Sequence, residues 1–181
     1  MKYFLLSLIF TASCLNAINF KEAKPFTYGL WFNGGLGTVL TEDGDILSLN
    51  TAVNFAKNNR IMRMKYFYGR ELEKYSPTPE LKAWEYAVLY GYNSVKGILN
   101  ISYMAGISYT GGIARGTKIT DSTDDDHYNE ITYGTIGIPL EIEVDLNALR
   151  PFGLGFAFFC DINSENNLIG FNFNILIGRL P

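Results

Sequence analysis

Five charged side chains lie inside segments that otherwise alternate between apolar and polar residues, and their types could support acid–base chemistry. Arg63 and Lys65 share one face of a candidate strand. Glu85 lies on the polar face of a second strand, and Glu141 and Glu143 share a face of a third. Side chains two positions apart on a strand point to the same side, so the last two form a carboxylate pair. A hydrolase would also need a nucleophile or a histidine, and neither follows this pair closely in sequence.

A structural role explains the same charges better. Two cations and three carboxylates that point into a narrow barrel interior must pair, because an unpaired buried charge is costly. We therefore predict an ionic network in the lumen, formed by Arg63, Lys65, Glu85, Glu141 and Glu143, that leaves no open pore. We predict no catalytic, cofactor-binding or metal-binding residue, and we do not expect the chain to be an enzyme.

His127 is the only histidine of the chain, and it lies in a polar, acidic segment, residues 121–130. One hypothesis gives it a role in a lipid-modifying catalytic set or in metal binding. The segment lacks the ligand spacing and the turn glycine of an EF-hand loop. We therefore favour a solvated acidic loop.

Long period-two alternations must position these residues. Apolar side chains occupy most alternate positions in residues 47–55, 99–109, 136–144 and 169–177, which is typical of strands with one apolar face. Eight candidate strands cover residues 27–39, 46–57, 60–69, 81–92, 96–110, 130–144, 151–161 and 167–179. Lengths of about 9–11 residues suit tilted strands that cross a bilayer, whereas strands of soluble proteins average about 5–6 residues. Pro139 lacks an N–H donor, which predicts a bulge or distorted pairing in the sixth strand.

Some connections between these strands are short and others are long, and the two longest follow odd-numbered strands. Short ones follow the second and fourth strands, at residues 57–59 and 93–95, and the two longest are residues 70–80 and 111–129. Outer-membrane barrels have short periplasmic turns and longer outer loops. We therefore expect the N-terminus on the periplasmic side and the two long connections on the outer side.

The side chains between the apolar positions are mostly Asn, Ser, Thr, Gly and Ala, with few charges. A solvated sheet face normally carries about 25–35% charged residues, so we expect the apolar faces to meet lipid and the polar faces to line the lumen. Tyr and Trp near strand ends favour the headgroup level. The aromatic residues that we assign to this level are Tyr28, Trp31, Tyr66, Tyr68, Trp84, Tyr90, Tyr92, Tyr103, Tyr109 and Tyr133. The alternative is a soluble periplasmic calycin-like barrel that holds an apolar ligand inside.

The first residues predict export. Lys2 precedes an apolar run, residues 3–10, and small or polar residues follow up to Ala17, which is the pattern of a secretory signal. We predict a signal peptide at residues 1–17 and a β-barrel domain at residues 18–181. Loss of Lys2 makes the remaining chain more acidic, which argues against nucleic-acid binding. Cys160 is then its only cysteine, so no internal disulfide can form.

The C-terminal half adds a resemblance. Residues 137–143, 153–156, 161–164 and 170–180 resemble small outer-membrane barrel proteins of Bacteroidetes-type bacteria, of the OmpX/OmpA-like class. The resemblance covers roughly residues 95–181. It implies an eight-stranded outer-membrane barrel and brings no established activity or catalytic residues. The chain departs from the commonest barrel ending, a terminal aromatic residue. Lipid A deacylase barrels share the size but use a His and a Ser close together on one strand, which residues 127–129 do not match.

Together these patterns predict an all-β protein, an eight-stranded antiparallel up-and-down transmembrane β-barrel preceded by a cleaved signal peptide. We expect a monomer in the outer membrane with a structural or surface-interaction role and a plugged polar lumen. Its expected partners are outer-membrane lipid, lipopolysaccharide and an extracellular ligand at the outer loops, residues 70–80 and 111–129. The alternatives are a lipid A deacylase-like enzyme and the soluble calycin-like barrel.

Overall fold

The computed structural model describes residues 28–41, 44–71, 78–119, 127–149 and 151–180, and the predicted signal peptide lies outside them. The strands are β1 (Gly29–Leu40), β2 (Asp45–Lys57), β3 (Arg60–Arg70), β4 (Lys82–Lys96), β5 (Leu99–Ile119), β6 (His127–Leu149), β7 (Phe152–Asn163) and β8 (Leu168–Arg179). Each strand pairs antiparallel with the next and β8 pairs with β1, so the sheet is a closed barrel. The predicted eight-stranded antiparallel barrel is confirmed. No helix in the described part of the chain is long and apolar enough to cross a membrane.

The alternation along each strand separates an apolar outside from a largely polar inside. In β2 every second side chain is buried along the whole strand. The outward residues are large and apolar, and their exposed fractions reach 58% at Leu36, 61% at Ile107 and 67% at Ile136. Calycin-like barrels hide their apolar faces inside, so the arrangement is the opposite of the one that the soluble alternative requires.

The two ends of the barrel differ in their connections. At one end, here called the turn end, Asn58 and Asn59 join β2 to β3 with φ values of 48° and 63°. Two consecutive residues with positive φ form the type I′ turn that fits the twist of a hairpin. Gly97 (φ 63°) begins the tight turn between β4 and β5 at the same end. The connections after β1, β3, β5 and β7 lie at the opposite end, here called the loop end.

The hairpin of β5 and β6 extends further toward the loop end than we predicted. We assigned residues 111–129 to a connection, but β5 continues to Ile119 and β6 begins at His127. The register of this hairpin shifts between Arg115 and Lys118. Its outer part is rich in Gly, Thr and charged residues and is exposed on both faces. The apolar alternation that reveals the other strands is therefore missing there.

Pro139 interrupts one ladder without changing its register. The pairs of β5 with β6 stop at Ala105 and Leu140 and resume in the same register at Ser108 and Gly137. Proline cannot donate a backbone hydrogen bond, which explains the gap. On its other side Pro139 pairs with Asp161 of β7. The distortion is a local loss of pairing and not a bulge.

Aromatic side chains cluster on the outside of β3, β4 and β5. The Trp84 ring centroid lies 5.8 Å from that of Tyr86 and 5.4 Å from that of Tyr109. The indole also covers Gly111, its cross-strand partner, in the way that aromatic rings shield glycines in barrel sheets. Two of the aromatic residues that we assigned to the headgroup level point inward instead. Trp31 and Tyr133 are 0% and 8% exposed, because they fall on the inward positions of β1 and β6.

Candidate functional site

The barrel interior has three layers along its axis. One apolar layer lies toward the turn end, beside the buried polar residues Asn93, Asn100, Asp145 and Asn147, and a second lies toward the loop end. The turn-end layer consists of Trp31, Ala56, Ile61, Ala87, Leu89, Met104, Leu176 and Leu180. The loop-end layer consists of Val39, Ile46, Phe67, Leu81, Ala83, Phe159 and Leu168. Polar and charged side chains fill the rest of the interior, mainly the space between these layers, and are almost fully buried.

Arg63 is the centre of the middle layer. Its Nη1 donates to Glu141 Oε1 and its Nη2 donates to Glu143 Oε2. Its Nε donates to Asn54 Oδ1. The guanidinium fork therefore reaches across the lumen from β3 to two carboxylates of β6, and the exposed side-chain fraction of all three charged groups is at most 2%. Charge-assisted hydrogen bonds of this kind are among the strongest in proteins.

Lys65 continues this network toward the loop end. Its Nζ lies 3.2 Å from Glu85 Oε1 and 3.2 Å from Glu141 Oε2. It also lies 4.1 Å from the centre of the Phe159 ring, within the range of a cation–π contact. Glu141 thus touches both cations. The structure brings together all five residues that the sequence assigned to the lumen.

Two further carboxylates share the lumen, and the sequence prediction missed both. Asp145 accepts a hydrogen bond from Asn100 Nδ2 at 2.8 Å, and Asp161 accepts from the hydroxyls of Ser108 and Thr110. Both aspartates are 0% exposed. We had assigned Asp145 to a connection and had not counted Asp161 among the lumen charges. Their positions in the alternation put them on the inner face, and that signal could have found them.

Within the described residues the lumen therefore holds five carboxylates and two cations. Amide and hydroxyl groups donate to several carboxylate oxygens that no cation contacts. Glu143 Oε1 accepts from both Asn33 and Asn174 at 2.7 Å, besides the contact of Oε2 with Arg63. Hydrogen bonds to ionised groups from such donors reduce the cost of burial. The middle layer is thus a hydrogen-bonded unit more than a set of isolated ion pairs.

Two glycines of β1 make room for polar bridges between β2 and β8. Gly35 pairs with Asn50 on one side and Asn174 on the other, and Asn50 Nδ2 donates to Asn174 Oδ1 at 3.1 Å. Gly37 likewise lies between Ser48 and Asn172, whose side chains are joined at 3.1 Å. These two hydrogen bonds between β2 and β8 cross the inner face of β1 at Gly35 and Gly37, which have no side chains.

The arrangement does not fit acid–base catalysis by the carboxylate pair. Glu141 and Glu143 are 4% and 0% exposed and are held by Arg63, Lys65 and amide groups. A general base must come within hydrogen-bond reach of a substrate, and apolar layers lie on both sides of this pair. Among the described residues no group of three His, Cys, Asp or Glu side chains could hold a metal ion.

His127 lies at the loop end, remote from the ionic layer. Its Nδ1 contacts Thr78 Oγ1, and the backbone N–H of the next residue, Tyr128, donates to Thr78 O at 2.7 Å. An ion pair between Arg115 and Glu71 supports the same region, and Arg115 Nε donates to Pro79 O at 3.2 Å. These contacts join the end of the connection between β3 and β4 to the β5–β6 hairpin. The acidic run that precedes His127, residues 121–126, lies outside the described residues.

Comparison with known proteins gives structural matches only. No protein-family model and no curated protein sequence matches the chain. Neisserial surface protein A is 8% identical with a TM-score of 0.59, covering 85% of this chain and 98% of that chain. Ail, the attachment invasion locus protein of Yersinia pestis, is 9% identical with a TM-score of 0.57, covering 84% and 97%. The N-terminal barrel domain of Pseudomonas aeruginosa OprF is 8% identical with a TM-score of 0.52, covering 82% and 99%.

At these identities the matches show the fold alone. That fold is the one of small outer-membrane β-barrels, so the predicted structural class is confirmed. The nearly complete coverage of each matched chain means that the whole barrel corresponds, not a fragment of it.

Proposed function

We propose that this chain is an integral outer-membrane barrel with a structural or surface-interaction role, exported by the signal peptide at residues 1–17. Its lumen is plugged and conducts no ions, and it is not an enzyme. The observation that carries the proposal is the combination of an apolar outside with an interior filled by two apolar clusters and a buried ionic layer. An apolar surface of this extent on a closed barrel is suited to hydrocarbon and not to water.

Electrical recording tests the closed lumen. We expect the purified barrel, inserted in a planar lipid bilayer, to give no stepwise conductance. Arg63, Lys65 and their carboxylate partners fill the cross-section, and apolar layers exclude hydrated ions. Insertion is verified in parallel by protease protection of vesicle-reconstituted barrel. Regular single-channel steps from inserted protein would contradict a plugged lumen.

A single outward arginine tests the membrane location. Val88 is 47% exposed and lies on β4 between Trp84 and Tyr86 on one side and Tyr90 and Tyr92 on the other. Trp84 and Tyr92 are about 26 Å apart along the strand, close to the height of the apolar band of such barrels, so Val88 lies near the bilayer midplane. We expect Val88→Arg to lower the free energy of unfolding in phospholipid vesicles by about 2–4 kcal/mol. Urea titration followed by tryptophan fluorescence measures this change.

The matched control for that variant is Ile98→Arg. Ile98 is 58% exposed, but it lies in the turn between β4 and β5, where an arginine at the interface costs about 0–1 kcal/mol. In a water-soluble barrel both substitutions would be surface changes within about 0.5 kcal/mol. Equal, small effects would therefore argue against the membrane location.

The loop end is where a surface-interaction role would reside, because loops on a rigid barrel carry recognition. One structure of the Yersinia Ail protein is a complex with the heparin analogue sucrose octasulfate. An extracellular ligand at the loop end of this chain, its contacts with lipopolysaccharide and a closer affiliation with Bacteroidetes-type barrels stay predictions. A catalytic role of His127 would appear as a changed lipid A mass profile when His127→Ala replaces the native protein.

A further inference from the structure

Basic side chains form an arc around the turn end of the barrel. Lys57, Arg60, Lys96 and Arg179 are all exposed and lie at the ends of β2, β3, β4 and β8. These strands and β1 are neighbours in the closed sheet, so the four cations occupy one side of the rim. No exposed carboxylate of the described residues lies at this end, since Asp145 is inside the lumen.

Two of these cations lie over the faces of tyrosine rings. The Arg179 guanidinium carbon lies 3.7 Å from the centre of the Tyr28 ring, and that of Arg60 lies 5.7 Å from the centre of the Tyr92 ring. Stacking on an aromatic ring holds a guanidinium in place and leaves its N–H groups available at the edge. Tyrosine at a barrel end favours the headgroup level of a bilayer. The arc thus lies where phosphate groups would be.

Lys57 and Arg60 are cross-strand neighbours of like charge, and a bound anion would stabilise them. The two residues are directly opposite each other in the β2–β3 ladder, and both side chains point outward. Like charges in this position repel and destabilise a hairpin. A phosphate between them would turn that repulsion into two favourable contacts, since both Lys and Arg bind phosphate.

Elsewhere in the part of the chain that the structure describes, positive charge is not concentrated in this way. On the other side of the turn end, the last outward residues of β6 and β7 are apolar, namely Leu146, Phe152 and Leu154. At the loop end Arg70 and Lys82 are likewise opposite each other, but Lys82 lies 3.7 Å from Glu80, so cations and carboxylates are mixed there. The positive arc is therefore a local feature and does not follow from the net charge, which is negative.

We propose that this arc binds the phosphate groups of anionic phospholipids in the leaflet at the turn end. The principal binding site lies between Lys57 and Arg60. The inference rests on the proposed membrane location. It gives the barrel a lipid preference on one side of its rim, and it fixes the depth and tilt of the barrel at that side.

Spin-labelled lipids test the proposal directly. The full barrel is reconstituted in phosphatidylcholine vesicles that contain a trace of spin-labelled phosphatidylglycerol or spin-labelled phosphatidylcholine, and the motionally restricted fraction of each is measured. We expect a preference for phosphatidylglycerol of at least about fivefold, the factor for one basic residue near a membrane surface, because both Lys57 and Arg60 contribute. Lys57→Gln/Arg60→Gln should remove most of this preference.

The control variant is Arg70→Gln/Lys82→Gln, which removes the same charge at the loop end and should keep the preference. An unchanged preference in Lys57→Gln/Arg60→Gln, or none in the native barrel, would overturn the proposal. Inorganic phosphate should lower the preference more than chloride does at equal ionic strength, because it competes for the same site. Equal effects of the two salts would overturn the assignment of a phosphate site between Lys57 and Arg60. Failure of the barrel to insert, seen by protease digestion, would instead count against the proposed membrane location.

Discussion

Replacement of Arg63 by methionine should lower the free energy of unfolding by about 3–5 kcal/mol, the cost of removing one partner from a buried ion pair. Arg63 touches both Glu141 and Glu143, and without it Lys65 is left as the only described lumen cation facing five carboxylates. Methionine preserves much of the side-chain volume, so the loss reports charge more than packing. Urea unfolding in phospholipid vesicles, followed by tryptophan fluorescence, measures the change.

Two further variants separate the buried network from charge in general. Lys82→Met removes a cation whose side chain is 40% exposed and lies 3.7 Å from Glu80, and it should cost no more than about 1 kcal/mol. Arg63→Met combined with Glu141→Gln and Glu143→Gln should recover part of the loss, because neutral partners need no counter-charge. If Arg63→Met costs as little as Lys82→Met, the ionic layer does not stabilise the barrel.

The strands that cross the apolar band could be predicted from sequence because each has one predominantly apolar face. The β2 prediction, residues 46–57, differs from the structure by one residue, and the β8 prediction, residues 167–179, does so as well. Lipid contact requires apolar residues at every second position over the full width of the hydrocarbon, and few other structures leave that pattern.

The outer part of the β5–β6 hairpin could not be found in this way. Beyond Thr110 the side chains on its two faces are of similar polarity, so period two carries no signal. Main-chain pairing holds this part together, and sequence alternation does not report main-chain hydrogen bonds.

The sequence predicts which side chains point into the lumen, but it does not predict which of them contact each other. Alternation places Arg63 and Glu143 on the inner face, yet β3 and β6 are not neighbours in the sheet. Which groups meet across a barrel depends on strand tilt and stagger, which local sequence does not encode. Asp145 was missed for a simpler reason, because the predicted sixth strand stops at residue 144, whereas β6 continues to Leu149.

The double substitution Gly35→Ala/Gly37→Ala should lower the free energy of unfolding by about 3–6 kcal/mol, through overpacking at two positions and the loss of two buried hydrogen bonds. A methyl group on Gly35 would overlap Asn174 Oδ1 and the carbonyl oxygen of Phe173. One on Gly37 would overlap Asn172 Oδ1 and the carbonyl oxygen of Phe171. Backbone atoms cannot turn aside as a flexible side chain can, so β1 and β8 would have to separate.

Gly34 supplies the control, because it lies in the same strand and a methyl group there would have no heavy atom within 4 Å. Gly34→Ala should therefore leave the urea midpoint nearly unchanged or raise it slightly, since alanine restricts the unfolded chain more than glycine. The β1–β8 pair closes the barrel, so we also expect the double variant to refold into vesicles more slowly than the control. If the two variants unfold and refold alike, the lack of side chains at Gly35 and Gly37 is not what allows the strands to close.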